Sequence, residues 1–171
     1  ACGSGGVTLP LAEAGIEMIG VDGSQEMLSM AREKADRRGL RPLFLCQDMR
    51  ELDLYGTVDG AVCTLDGLNR RLRLFIEPGG LFHFDVNTPY KHRQVLADNA
   101  FVFEPDDFLC VWRNRLMERT CEVDMQLDFF VPQDAEGVRY RRLTDAVRER
   151  AYTERTLRRL LEQEGFETLA V

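Results

Sequence analysis

The stretch ACGSGG at residues 1–6 sets Gly3 and Gly5 just ahead of an apolar run. Glycines there let a backbone turn sharply and come close to a ligand, and the amides that open the following helix point the same way. About 20 residues on, Asp22 closes IEMIGVD, where a carboxylate can accept both hydroxyls of a ribose in charge-assisted hydrogen bonds. Asp48, in CQDM, closes a further apolar run, and its side chain and the backbone of Met49 could read the amino edge and ring of an adenine. Each signal has a plainer meaning when taken singly. A glycine turn is often only a turn, and Asp22 could simply be a charge at a helix start. In register, at the ends of successive strands, they spell nucleoside recognition.

The elements that must aim these residues are legible as alternating periodicities. Val7, Leu11 and Ala14 recur at helical spacing with Gly15 as a left-handed stop, and IEMIGVD then reads as a short buried strand. Ser24 is a good cap for QEMLSMAREKADRR, whose Met27, Leu28, Ala31 and Ala35 predict one apolar stripe, ended by Gly39. PLFLCQD and VDGAVCTLD follow as strands, and EPGGLFHFDVN as a tight turn feeding another. Such alternation predicts an α/β fold, a Rossmann-like, doubly wound, mostly parallel sheet with helices on both faces. The connection GLNRRLRLFIEPGG is short for a crossover, and the glycine loop needs a strand to aim it. These spacings predict further chain near Asn69 to Arg71, before Ala1 and after Val171.

After Asn87 the period changes to two. FLCVWRNRL, CEVDMQLDFFV and VRYRRLTDAVRERAY predict an antiparallel meander, with Val123, Met125, Leu127 and Phe129 on a buried face opposite Asp124, Gln126 and Asp128. Thr153 caps ERTLRRLLEQEG, and EGFETLAV predicts a helix stop followed by a strand. The expected organisation is a core over 1–87, an antiparallel insertion over 88–152, and a return to the core over 153–171.

At 171 residues, 44% hydrophobic and 30% charged, the chain can bury one substantial core. A formal net charge of -7 argues against nucleic acid as a partner, because such binding relies on Lys and Arg neutralising phosphates. The arginines at 139–142 and 155–159 read as solvated faces. No apolar run approaches the roughly 20 residues of a membrane span, so the expectation is a cytoplasmic protein with no membrane partner. The five cysteines are odd in number and show no C-x-x-C pair, which predicts reduced thiols and no metal site.

ACGSGGVTLPLAEAG, GVDGSQEMLSMARE, CQDM, CTLDGLN and LFIEPGGLFHFDVN together resemble the class I S-adenosylmethionine-dependent methyltransferases. RAYTERTLRRLLEQEGFE is similar to that group's last helix and sixth strand. The likeness is nearest to a bacterial small-molecule subgroup that inserts an antiparallel sheet after strand five and carries a motif like FDVNTPYK. The resemblance implies S-adenosylmethionine as cofactor, with Ala1, Gly3 and Gly5 lining its methionine end and sugar. It implies Asp22 on the ribose, Gly23, Ser24 and Met27 beside the adenosine, and Gln47, Asp48 and Met49 around the adenine. Thr64, Leu65 and Asp66, with Asn69, would lie near the methionine part and the acceptor.

Methyl transfer from a sulfonium needs alignment more than a catalytic triad, and a protonated acceptor would still have to lose its proton. His92 and Tyr90, in NTPYKHRQ, are the candidates on the acceptor side, with a surface role as the alternative for His92 and a loop cap for Tyr90; His83 reads as strand interior. Trp112 and Phe129 read as sheet packing, although a cage for a methylated amine uses the same residue types. The implied acceptor is a small molecule roofed by the antiparallel insertion. A nicotinamide or flavin enzyme would want the third spaced glycine that GSGG lacks. A non-catalytic S-adenosylmethionine-binding module would present the same pocket.

Overall fold

The computed structural model of the chain describes residues 1–64, 70–105, 107–134 and 139–171. The chain forms two units, Ala1–Val86 and Asn87–Val171.

In the first unit the glycine loop runs into helix α1 (Thr8–Glu13), then strand β1 (Ile19–Asp22), helix α2 (Gln25–Arg37) and strand β2 (Leu43–Cys46). The stops and starts obey local chemistry. Gly15 and Gly39 adopt φ of 88° and 69°, left-handed values that suit glycine, and the Ser24 hydroxyl accepts the Met27 N–H at 3.2 Å. Strands β1 and β2 pair in parallel from Ile19 against Leu43 to Asp22 against Cys46. The core joins helices to sheet through Leu9, Leu28, Ala31, Ala35 and Phe44, with Cys2 of the loop and Leu40 packed against it. Leu9 and Leu28 are fully enclosed, each contributing about 2 kcal/mol of apolar burial. Met27 leaves the expected stripe: it is exposed, and Leu28, Ala31 and Ala35 alone make the buried line.

A 3₁₀ turn (Met49–Glu51) leads to strand β3 (Val58–Cys63), and a second such turn (Arg70–Leu74) leads to strand β4 (Ile76–Phe84). β3 and β4 are parallel, but the register jumps from Val58–Ile76 to Gly60–Leu81. The expected tight turn at PGG is therefore a bulge inside β4. Gly79 takes φ of 85°, and a Cβ on Gly80 would stand 2.6 Å from the Asp59 carbonyl oxygen. Among the described residues the parallel strands form two separate pairs, β1–β2 and β3–β4, instead of one continuous sheet.

The second unit opens with a π-helical turn (Lys91–Leu96), followed by an antiparallel sheet in the order β5 (Ala100–Phe103), β6 (Leu109–Met117), β7 (Glu122–Pro132), β8 (Tyr140–Arg150) and helix α3 (Glu154–Gln163). Leu96, Val123 and Met125 form its core, with Phe101, Trp112 and Leu116 packed alongside. The face expected to be polar carries a buried charge. Asp128 is only 2% exposed, accepts Arg142 Nη2 at 2.8 Å and the Thr144 hydroxyl at 2.7 Å, and is bonded by Arg113. Thr153 caps α3 as expected, its hydroxyl accepting the Thr156 N–H at 3.3 Å. Residues 166–171 carry no strand, in contrast to the expected sixth strand. No helix among the described residues is long and apolar enough to cross a membrane.

Candidate functional site

The glycine loop is fixed to the strand beside it. The Cys2 N–H donates to the Val21 carbonyl at 2.8 Å, and the Gly3 N–H donates to Asp22 Oδ2 at 2.7 Å. The other oxygen, Asp22 Oδ1, accepts the Ser24 N–H at 2.9 Å, so one half-buried carboxylate orients both the loop and the start of α2. Lys34, from the far turn of α2, donates to the Ser4 hydroxyl at 2.7 Å and braces the loop's other side. Burial, and secondarily the charge of Asp22, pushes the Cys2 thiol up, which keeps it neutral at this position.

Gly3 and Gly5 do different work. Gly3, at φ 52°, has nothing within 4 Å of where a Cβ would stand, so its open side is available to a ligand. Gly5, at φ 85°, is buried, and a Cβ there would meet Leu9 Cγ at 2.9 Å. It lets the loop pack on α1 and the core instead of lining the site.

Beside this loop is a cavity of about 530 Å³, within the range of small-molecule sites. Ala1, Asp22 and Gly23 form one side, and Gln47, Asp48, Met49 and Arg50 form the other. Six of the residues singled out in the sequence thus meet here; Arg50 was not among them. The Asp48 carboxylate accepts the Arg50 N–H at 2.8 Å and Arg50 Nε at 3.0 Å, and these bonds, the side chain's first, hold its pKa down to about 2. The signal for Arg50 lies in DMR, an Asp that caps a turn with a long cation two residues later. The Gln47 side chain faces Asp53 of its own loop.

Other expected residues lie elsewhere. Ser24 and Met27 sit at the start of α2, beside Asp22 but outside the cavity lining, and Thr64 directly follows β3. Leu65, Asp66 and Asn69 fall outside the described residues. Tyr90 and His92 belong to the second unit. Tyr90 is 72% exposed, whereas His92 is fully enclosed and its Nδ1–H donates to the Cys121 carbonyl at 3.0 Å. The expectation of His92 as a base facing the acceptor is corrected on that ground: the ring fastens the π-helical turn to the start of β7. His83 lies on β4 opposite Val62, and its side chain is exposed.

Residues 1–76 match the model of a methyltransferase domain family. YqeM of Bacillus subtilis, whose description is methyltransferase with no acceptor stated, is 30% identical over 181 residues, covering 98% of this chain and 71% of its own. The crystal structure of an S-adenosylmethionine-dependent methyltransferase from Clostridium acetobutylicum superposes with a TM-score of 0.86 at 32% identity, over 99% of this chain and 72% of that one. This chain belongs to the S-adenosylmethionine-dependent methyltransferases. RlmD of a Shewanella strain, a 23S rRNA uracil methyltransferase, matches at 55% identity over 42 residues, 25% of this chain and 9% of RlmD.

The methyltransferase has an α/β Rossmann-like fold, and its cofactor is S-adenosylmethionine. The residues present fit that group. A carboxylate offers about four lone-pair sites, and each Asp22 oxygen spends one on a backbone N–H, which leaves room for two hydroxyls. The open left-handed Gly3 stands next to it. S-adenosylmethionine, when bound, supplies a methyl group already activated on a sulfonium sulfur.

Proposed function

We propose that this methyltransferase passes the methyl group to a small-molecule acceptor, with Asp22 holding the ribose and Ala1, Gly3, Gly23, Asp48 and Met49 surrounding the adenosine. The observation that carries the cofactor assignment is the meeting of Ala1, Asp22, Gly23 and residues 47–50 around one cavity at the ends of the paired strands β1 and β2. Ser24 and Met27 serve it from the start of α2, and Thr64, Leu65, Asp66 and Asn69 are assigned to the methionine end. The protein's part is to hold the cofactor in one pose and exclude water, so that an incoming nucleophile meets the methyl carbon in line.

Charge favours a small acceptor. The chain carries a formal net charge of -7, and five arginines of its antiparallel sheet are held by carboxylates. Arg113 and Arg142 bond Asp128, Arg115 and Arg148 bond Asp124, and Arg150 bonds Glu122. A sheet face neutralised in this way offers little to a phosphate backbone. The match to RlmD is too short to bring its rRNA acceptor with it. Segment 88–152 is read as an insertion that serves the acceptor, with Tyr90 as its candidate contact, and 153–171 as the return of the chain. Five free thiols suit the reducing cytoplasm, where we place the reaction.

The test is a screen with methyl-labelled cofactor against small-molecule, RNA and protein pools. Label should appear in a small-molecule fraction. Transfer confined to RNA or to protein would overturn the acceptor class while leaving the cofactor site standing.

A further inference from the structure

Gln47 lines the cavity, yet its side chain is spent on its own loop. Nε2–H donates to the Asp53 carbonyl at 3.0 Å, and the Asp53 N–H donates to Oε1 at 3.1 Å. One carboxamide thus acts as both donor and acceptor to a single residue six positions on, pairing with it as a neighbouring backbone would. The same segment is tied at other points. The Gln47 N–H donates to the Asp22 carbonyl at 3.0 Å, Leu52 is 4% exposed, and Arg71 Nε donates to the Leu52 carbonyl at 3.1 Å. Between those anchors lie Asp48, Met49 and Arg50, the wall of the cavity.

We infer that Gln47 is a positioning residue: its carboxamide closes the 47–53 loop into the shape that meets the nucleobase, and it sets cofactor affinity through that shape. A loop that needs ordering before it can bind reduces apparent affinity by the fraction of molecules in which it is ordered. Two hydrogen bonds of ordinary net worth are enough to make that fraction small once they are removed. The side chain must be able both to give and to accept, which only a carboxamide of this length does here. Glutamate keeps the bond from the Asp53 N–H and loses the one to the Asp53 carbonyl; leucine keeps neither. The methyl group and the acceptor are not involved, so the loss should fall on KM for the cofactor more than on kcat.

This rests on the cofactor site proposed above, and the experiment separates the two. S-adenosylhomocysteine binding is measured by calorimetry on the full chain for wild type, Gln47→Leu, Gln47→Glu and Asp22→Ala, with amide hydrogen exchange followed at Asp53. Leucine should weaken binding about tenfold and glutamate about threefold, and the Asp53 amide should lose protection in the ligand-free leucine variant. Melting temperature should stay close to wild type, and KM for S-adenosylmethionine should rise by a larger factor than kcat falls. Unchanged affinity in Gln47→Leu, or an Asp53 amide that exchanges as fast as an unprotected one in the wild type, overturns the clamp. A fall in saturated turnover as large as the fall in affinity does so as well. If Asp22→Ala also binds like wild type, the cofactor site itself is wrong; if only Gln47→Leu does, the clamp alone falls.

Discussion

Asp22→Ala should cost the enzyme most of its cofactor affinity while leaving it folded. In the structure each carboxylate oxygen accepts one backbone N–H, from Gly3 at 2.7 Å and Ser24 at 2.9 Å, and about two acceptor sites remain for the ribose hydroxyls. Hydrogen bonds to a charged group are worth about 1.5–3 kcal/mol each. Asp22 is only half-buried, so the lower value applies, and two such bonds amount to about 3 kcal/mol, a factor of about 100 in Kd. From a micromolar starting point, about 8 kcal/mol, the variant should bind in the range of 100 µM. Asp22→Asn keeps one acceptor oxygen and should fall between the two. Titration calorimetry with S-adenosylhomocysteine measures the change, and a thermal melt on the same samples reports whether the fold survives. Wild-type affinity in a folded Asp22→Ala protein would refute the ribose assignment.

The two loop glycines should separate. Gly5→Ala forces a Cβ against Leu9 at a left-handed φ and should destabilise by roughly 2 kcal/mol, seen as a lower Tm. Gly3→Ala meets no neighbour, so its Tm should fall less while its cofactor affinity falls more; the reverse order would undo the distinction. His92→Ala should destabilise by about 2–4 kcal/mol, seen as a lower Tm, through the loss of a fully enclosed ring and its bond to Cys121, whereas Tyr90→Ala should melt like wild type and transfer methyl groups more slowly to an identified acceptor. Equal rates for Tyr90→Ala and wild type would remove Tyr90 from the acceptor site. Asp128 gives a pH dependence of known sign. Hydrogen bonds from Thr144 first, then from Arg142 and Arg113, hold its pKa at about 2, below the ordinary 3.8. Its stabilisation is complete above the ordinary carboxylate range and is lost as pH falls through about 2. Acid titration by circular dichroism should therefore show a steeper loss in wild type than in Asp128→Asn, and superimposable curves would count against the ladder.

Much of the first unit could be read directly because its determinants are local. A cap needs one hydroxyl and an amide three residues on, as at Ser24 and Thr153, and a left-handed stop needs only glycine, as at Gly15, Gly39 and Gly165. The apolar positions of α2 and the alternation along β7 recur within a few residues, so their periods survive in the sequence. The residues proposed for the cofactor were legible for a related reason. Asp22 ends β1 and Asp48 follows β2, parallel strands bring those ends to one edge, and Gly3 joins them through its N–H on Asp22.

What the sequence withheld depends on which partner a side chain finds at a distance. Gly3 and Gly5 look alike in ACGSGG, and only the packing of Leu9 and Ala31 makes one a core contact and leaves the other open. Asp128 sits at an outward position of an alternating strand, yet arginines from two neighbouring strands and Thr144 enclose it. His92 looks like a residue beside an acceptor until β7 arrives with the Cys121 carbonyl, 29 residues later. Gln47 reads as an adenine contact, and its carboxamide is instead satisfied by Asp53. Element type is set by short-range periodicity and backbone sterics, which the chain carries in its own order. The work of a polar side chain is set by whichever donor or acceptor lies within 3 Å of it after folding, and that is a property of the tertiary structure alone.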